Sequence, residues 1–306
     1  MVRFAALLCL ASAATTLAGD VKKTGKDIVI FGLGEEPTAL LRFDTAAGLM
    51  RRAGSMPTPR KYHAAGQLDE ERVLLVGGYN PYDVPLLYDA RTGAFEERSR
   101  PFRVVYDLLR KQAHKTAAVA DGVLYTCGGF APTARCFAFD VAKDEWRHLP
   151  RLPNYASAAA SVGFEAKYFF VIGGHNGRRF TEQVFRLDLD LMRWETVAPM
   201  PQPRGYHSAI LLPDRDAILV CGGSGQHGDT ASCDVYDIGA DRWESAPAPM
   251  TRARADFELL HCGGATFALG GAYTDTVERR AEDGSWAAVD AKLPYRDSRV
   301  YAVACL

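Results

Sequence analysis

At 306 residues, with 48% hydrophobic and 24% charged residues, the chain has the composition of a folded protein of one large or two ordinary domains. That excludes a disordered or collagen-like polymer. A formal net charge of -1 gives no long-range electrostatic basis for nucleic acid or an anionic membrane as the main partner.

Residues 1–18 open with Met1, Val2 and Arg3 and run through apolar Phe4 to Ala11 into small residues, the pattern of a secretory signal peptide. Ala18 is its working end and Ala13 a second cleavage point; a buried first strand or helix is the competing reading. The expected location is therefore outside the cell or in the secretory-pathway lumen, or the periplasm of a bacterium. Cys9 follows Leu8 rather than a small residue, which argues against a lipoprotein anchor. No other run approaches the ~18 apolar residues of a membrane span. Asn80, Asn154 and Asn176 all lie outside Asn-x-Ser/Thr sequons, so N-glycosylation is not expected.

From residue 20 to 306 the chain repeats. Glycine doublets close apolar runs at Gly77-Gly78, Gly128-Gly129, Gly173-Gly174, Gly222-Gly223 and Gly270-Gly271, and a worn copy spans Ile28 to Gly34. The runs before them, such as Val73 to Val76 and Tyr168 to Ile172, hold the β-branched and aromatic residues that suit strands. A second run ends in Phe43-Asp44, Tyr88-Asp89, Phe139-Asp140, Leu187-Asp188 or Tyr236-Asp237, where Asp initiates a turn. Six residues after each Asp stands Met50, Phe95, Trp146, Trp194 or Trp243; Trp286 completes the series with Arg280 in the Asp place. All four tryptophans thus share one phase of a period of about 48 residues.

This combination of glycine doublet, aromatic-Asp pair and Trp resembles the kelch repeat. The resemblance implies an all-β, six-bladed kelch β-propeller with four antiparallel strands per blade around a central channel. The chain begins at a second strand, and Arg296 to Leu306 looks like an innermost strand with no blade after it, so the C-terminal strand should complete the first blade and leave no sheet edge exposed. The third strand of the sixth blade departs from the pattern at Arg279 and Arg280. The insertion Pro101 to Gln112, with Val105, Leu108 and Leu109 at helical spacing, reads as a short helix on the loop face.

Two blades carry cysteine at the same two phases: Cys127 and Cys221 directly before a doublet, Cys136 and Cys233 four residues before the Asp. Those phases fall on consecutive antiparallel strands, where opposed Cα atoms lie roughly 4.5–5.5 Å apart, within disulfide range. Disulfides Cys127 to Cys136 and Cys221 to Cys233 are expected, chance pairs of buried thiols being the alternative. Cys262 and Cys305, which end inner strands of neighbouring blades, could pair, but free buried thiols are the preferred reading.

In such a propeller the doublet exits and inter-blade loops gather around one mouth of the channel, where function normally lives. Arg60, Arg204 and Arg254 stand four residues after Met56, Met200 and Met250; Lys111 takes the same phase and Arg296 lies near it. A ring of these cations would select carboxylate, sulfate or phosphate. The alternative is that each arginine is part of the repeat itself, bonding carbonyls between blades. The fourth blade breaks the ring, with Pro153 in that place and Arg151 two residues earlier. His63, His114 and His207 recur three residues after the basic position and read as structural. His175, Asn176, Arg178 and His227 lie in long loops with no repeat requirement and are candidate partner contacts. No zinc spacing, nucleophile elbow, phosphate loop or EF-hand occurs, Phe31 to Gly34 lacks the dinucleotide-binding spacing, and neither a cofactor nor a metal is expected.

The function expected is that of a non-enzymatic recognition module, a monomer binding a protein or acidic glycan through its loop face. Fold analogy carries most of that expectation. The rival is an exported kelch-type enzyme on an anionic sugar, similar to sialic-acid mutarotase, with the arginine cluster on the substrate and Asp256 as base. Galactose oxidase, the copper-radical kelch precedent, carries a further domain after its propeller that has no counterpart here.

Overall fold

The computed structural model describes residues 26–78, 84–100, 116–129 and 134–306. The signal-peptide region, the insertion from Pro101 to Gln112, Lys111 and His114 lie outside them.

Six four-stranded antiparallel sheets form the blades. Blade I holds β1 (Asp27–Phe31), β2 (Ala39–Asp44) and β3 (Leu49–Ser55); blade II holds β4 (Ala64–Gln67), β5 (Arg72–Val76), β6 (Leu86–Asp89) and β7 (Ala94–Glu97). Blade III comprises β8 (Thr116–Ala120), β9 (Val123–Cys127), β10 (Cys136–Asp140) and β11 (Glu145–Leu149). Blade IV comprises β12 (Ala160–Phe164), β13 (Tyr168–Ile172), β14 (Val184–Asp188) and β15 (Arg193–Val197). Blade V is β16 (Ser208–Leu211), β17 (Ala217–Cys221), β20 (Cys233–Asp237) and β21 (Arg242–Ser245), with a small hairpin of β18 (Ser224–Gly225) and β19 (Gly228–Asp229) at its loop end. Blade VI runs through β22 (Glu258–Cys262), β23 (Ala265–Leu269), β24 (Thr276–Arg280) and β25 (Trp286–Lys292). The chain then returns to blade I as β26 (Val303–Cys305), paired with β1.

The repeat residues do what their chemistry suggests. The Asp188 carboxylate accepts the backbone N–H groups of Asp190 and Leu191, and Asp44 treats Ala46 and Ala47 in the same way. Three of the four tryptophans reach the preceding blade: the indole N–H donates to the carbonyl of Ser99 from Trp146, of Pro150 from Trp194 and of Ala198 from Trp243. Gly128, at φ +73°, marks a close approach where a Cβ would lie 2.0 Å from the Ala156 carbonyl oxygen of the next blade's loop. The N–H of the second doublet residue then donates to that loop, Gly129 to Ala156, Gly174 to Arg204, Gly223 to Arg254 and Gly271 to Ser298.

Six apolar clusters fill the six gaps between neighbouring blades, and the one between blades VI and I, built on Phe43, Phe267 and Leu269, closes the circle. Two details differ from the sequence reading. Register pairs Arg280 with Trp286, as it pairs Tyr236 with Trp243, so Arg280 takes the aromatic rather than the Asp place and the following turn is one residue shorter. Cys262 and Cys305 are not free thiols but a disulfide, with Cα atoms 5.3 Å apart, that ties blade VI's inner strand to the closing strand. Cys127 is joined to Cys136 and Cys221 to Cys233, each pair opposed in register.

Candidate functional site: the loop face and the axial channel

Among the described residues the basic ring expected at the mouth is not formed. Arg60, Arg204 and Arg254 are 1%, 1% and 0% exposed, folded under their own blade's glycine exit. Arg60 donates to the carbonyls of Gly77 and Val84. Arg204 donates to the carbonyls of Gly222 and Ser232 and pairs with Asp234 at 2.6 Å; Arg254 donates to the carbonyls of Gly270 and Thr276 and pairs with Glu278 at 2.5 Å. The physical reason is that a positive-φ glycine exit turns carbonyls inward, and a guanidinium has enough donors to satisfy several at once. Backbone equivalence puts Ala156, not Pro153, at this place in blade IV, and Ser298, not Arg296, in blade I. Arg296 is exposed. The anionic-sugar reading thereby loses its cation cluster.

The repeat histidines follow the arginines inward: His63 and His207 are buried. Burial and the nearby Arg204 charge drive the His207 pKa down to about 3, so the ring is neutral.

The long loops are ordered by their own polar side chains. His175 bridges both Ser157 and Phe180, its Nδ1 accepts the Gly177 N–H, and the Asn176 carboxamide accepts the N–H groups of Arg178 and Arg179. His175 and Asn176 are thus half-buried scaffolding that presents Arg178 and Arg179 to solvent. His227 stands exposed at the β18–β19 turn. On the same face Tyr155 is 48% and Tyr273 75% exposed.

Inside these loops lies the channel mouth. Tyr62, Ala158, Tyr206 and Asp256 occupy one repeat phase, all with positive φ between 52° and 58°. Their backbones hand a hydrogen bond from blade to blade: Tyr206 N–H to the Ala158 carbonyl, Asp256 N–H to that of Tyr206, and Val300 N–H to that of Asp256. Non-glycine residues held this way store strain, which clusters at functional sites. Arg299 reaches the rim, 3.3 Å from Asp297, 3.9 Å from Asp256 and within 3.3 Å of the Tyr62 hydroxyl. Burial works against its charge, but Asp297, the Tyr62 hydroxyl and Asp256 outweigh it and raise the Arg299 pKa. Tyr62 and Tyr301 pack with ring centroids 4.7 Å apart.

Below the rim the inner strands enclose a cavity of about 170 Å³, lined by alanines and Gly66 together with polar side chains that include Gln67, Ser161, His207 and Ser208. The first residue of each inner strand, opposite the residue before a glycine exit, is Ala64, Thr116, Ala160, Ser208 and Glu258, with Ala302 in the same place in blade I. Five are small; the sixth is a carboxylic acid. Glu258 receives a hydrogen bond from the Ser208 hydroxyl at 3.1 Å, and burial, aided by the Asp256 charge, raises its pKa to about 8. Among the described residues no cation pairs with it, and no group of three metal-ligating side chains occurs. Sequence reasoning named Asp256 but missed Tyr62, Tyr206, Tyr301, Arg299 and Glu258. Aligning the inner-strand starts would have exposed Glu258 as the odd member.

A family profile described as the Kelch motif matches residues 113–153 and 167–201. The chain is a kelch-repeat propeller. The kelch-like protein terF of Aspergillus terreus is 24% identical over 70% of this chain and 50% of its own. Human kelch-like protein 34 is 32% identical over 58% of this chain and 28% of its own, and alpha-scruin of Limulus polyphemus 25% identical over 62% and 22%. This kelch chain therefore spans half or less of these curated relatives' lengths. Kelch-repeat homologues are generally protein-interaction modules.

Proposed function

We propose that the protein is an exported recognition module whose loop face docks an acidic surface of a protein partner. The observation that carries this is the division of labour among arginines. The repeat arginines are buried under the glycine exits, whereas Arg178, Arg179, Arg151, Arg252 and Arg296 stand exposed in the loops beside Tyr155 and Tyr273. Arginine and tyrosine are the residues that anchor protein interfaces. Three disulfides and the apolar leader support export to an oxidising compartment. No helix among the described residues is long and apolar enough to cross a membrane.

The test compares secreted proteins retained by immobilised wild type and by the Arg178→Glu, Arg179→Glu variant across a salt gradient. Retention should fall with salt, as ion contacts are screened over a Debye length of ~8 Å at physiological strength, and should be lost in the variant. Equal retention by both proteins would discard the loop-face reading. A preference for sulfated or sialylated glycans over proteins would replace the partner class with an acidic glycan.

A further inference from the structure

We propose that the axial channel binds an alkylammonium group, which passes the tyrosine rim and ion-pairs with the Glu258 carboxylate. The inference is independent of what docks on the outer loops. It begins with a mismatch: a carboxyl has been placed on the wall of an open cavity, at a position where every equivalent residue is small, and among the described residues it has one hydroxyl as its partner and no cation. Removing a carboxyl from bulk water without a counterion is costly, so the unliganded site holds it as the acid.

The surrounding charges favour a cation as the missing partner. Asp256 and Asp297 place two carboxylates at the mouth beside the guanidinium of Arg299. Among the other described groups facing the channel, His207 is neutral, burial also lowers the His261 pKa, and the rim hydroxyls of Tyr206 and Tyr301 have raised pKa values, chiefly from burial; His63 lines the mouth as well. Arg204 is turned away under its glycine exit and neutralised by Asp234. An anion entering the channel would meet Asp256 and then Glu258.

Shape agrees with charge. Tyr62, Tyr206 and Tyr301 line the narrow mouth, and aromatic faces attract ammonium groups as they lose water. Below, the small side chains of the inner strands leave room for a short chain beside the acid, and Gln67, Ser161 and Ser208 make the lining more polar than apolar. Binding is written as a balanced exchange: the ammonium enters charged, the Glu258 proton leaves to solvent, and the ion pair remains.

Isothermal titration of the intact protein with 1,4-diaminobutane, and in parallel with Nα-acetyl-lysine N-methylamide, tests the idea. Both probes carry the shared chemistry. Binding of the diamine alone assigns the site to free amines, and binding of the lysine derivative as well assigns it to a lysine side chain of a partner. In wild type at pH 7, titrations in buffers of differing ionisation enthalpy should show proton release, with affinity rising as pH approaches 8. Glu258→Gln should weaken binding by about tenfold or more, while Arg178→Ala should not change it. No heat from either probe overturns the proposal, as does binding without proton release or binding retained in Glu258→Gln. Proton release is read on unmodified protein, so a folding defect in the variant cannot mask the result.

Discussion

Blades IV and VI solve the same junction in opposite ways. Blade VI fills the space under its glycine exit with the buried pair Arg254 and Glu278; blade IV has Ala156 where the arginine would be and Phe185 at the register position of Glu278. Blade V repeats the ionic solution with Arg204 and Asp234, and blade I the apolar one with Ser298 and Leu41. Blade II mixes them, with Arg60 opposite Leu86, and its guanidinium is bonded to carbonyls. Both solutions support the same glycine exit and the same hydrogen bond to the next blade. The arginine is therefore an exchangeable filling of the repeat, and its recurrence at one phase says nothing about a ligand. Within a single chain this is the comparison usually made by replacing a buried ion pair with apolar residues.

The sharpest way to break that comparison is to orphan one charge. Arg254→Ala leaves the fully buried Glu278 without its partner and should cost about 3–5 kcal/mol, read as a fall in denaturant midpoint. Adding Glu278→Phe, which imitates blade IV, should recover much of the loss. A double variant no more stable than the single one would show that the two solutions are not interchangeable.

The ring closure comes next in size. Changing Cys262 and Cys305 together to Ser removes a bridge spanning a sequence separation of 43 and should cost about 2–4 kcal/mol. Reduction of wild type should reproduce the part of the loss that belongs to this bridge. An unchanged melt would mean that the apolar cluster between blades VI and I holds the closing strand unaided.

Arg60→Ala should cost less, about 1–3 kcal/mol, because it leaves carbonyls and no buried carboxylate behind. A loss equal to that of Arg254→Ala would contradict the distinction drawn between blades II and VI.

What was legible in the sequence follows the same line between backbone and side chain. Glycine doublets and turn aspartates, each found in five blades, and tryptophans at one phase in four recur with the backbone, so they announced the blades, the closing strand and the two in-register disulfides. Phase identifies equivalent residues but not where a long side chain turns, and Arg60, Arg204 and Arg254 went inward. The acids at Asp234 and Glu278, placed among Phe137, Phe185 and Leu86 at equivalent positions, were the available clue. The bridge from Cys262 to Cys305 could be named only as an open possibility, because lateral spacing between blades is not set by strand register. Glu258 was missed because inner strands were read as filling rather than compared member by member.

The smallest effect separates the channel acid from those structural pairs. Its folded pKa of about 8 lies above the ordinary 4.5, so between those values the folded protein binds more protons than the unfolded chain. Its contribution to stability is complete below about pH 4.5, declines as pH rises, and is gone above about pH 8. Because the carboxyl borders an open channel, the loss should be shallow. Glu258→Gln should flatten that part of the stability profile, whereas Arg254→Ala should lower the profile without removing the slope. A slope that survives in Glu258→Gln would place the titrating group elsewhere. If the slope instead disappears in wild type when 1,4-diaminobutane is present, the cation is supplying in the folded state what water supplies to the unfolded carboxylate.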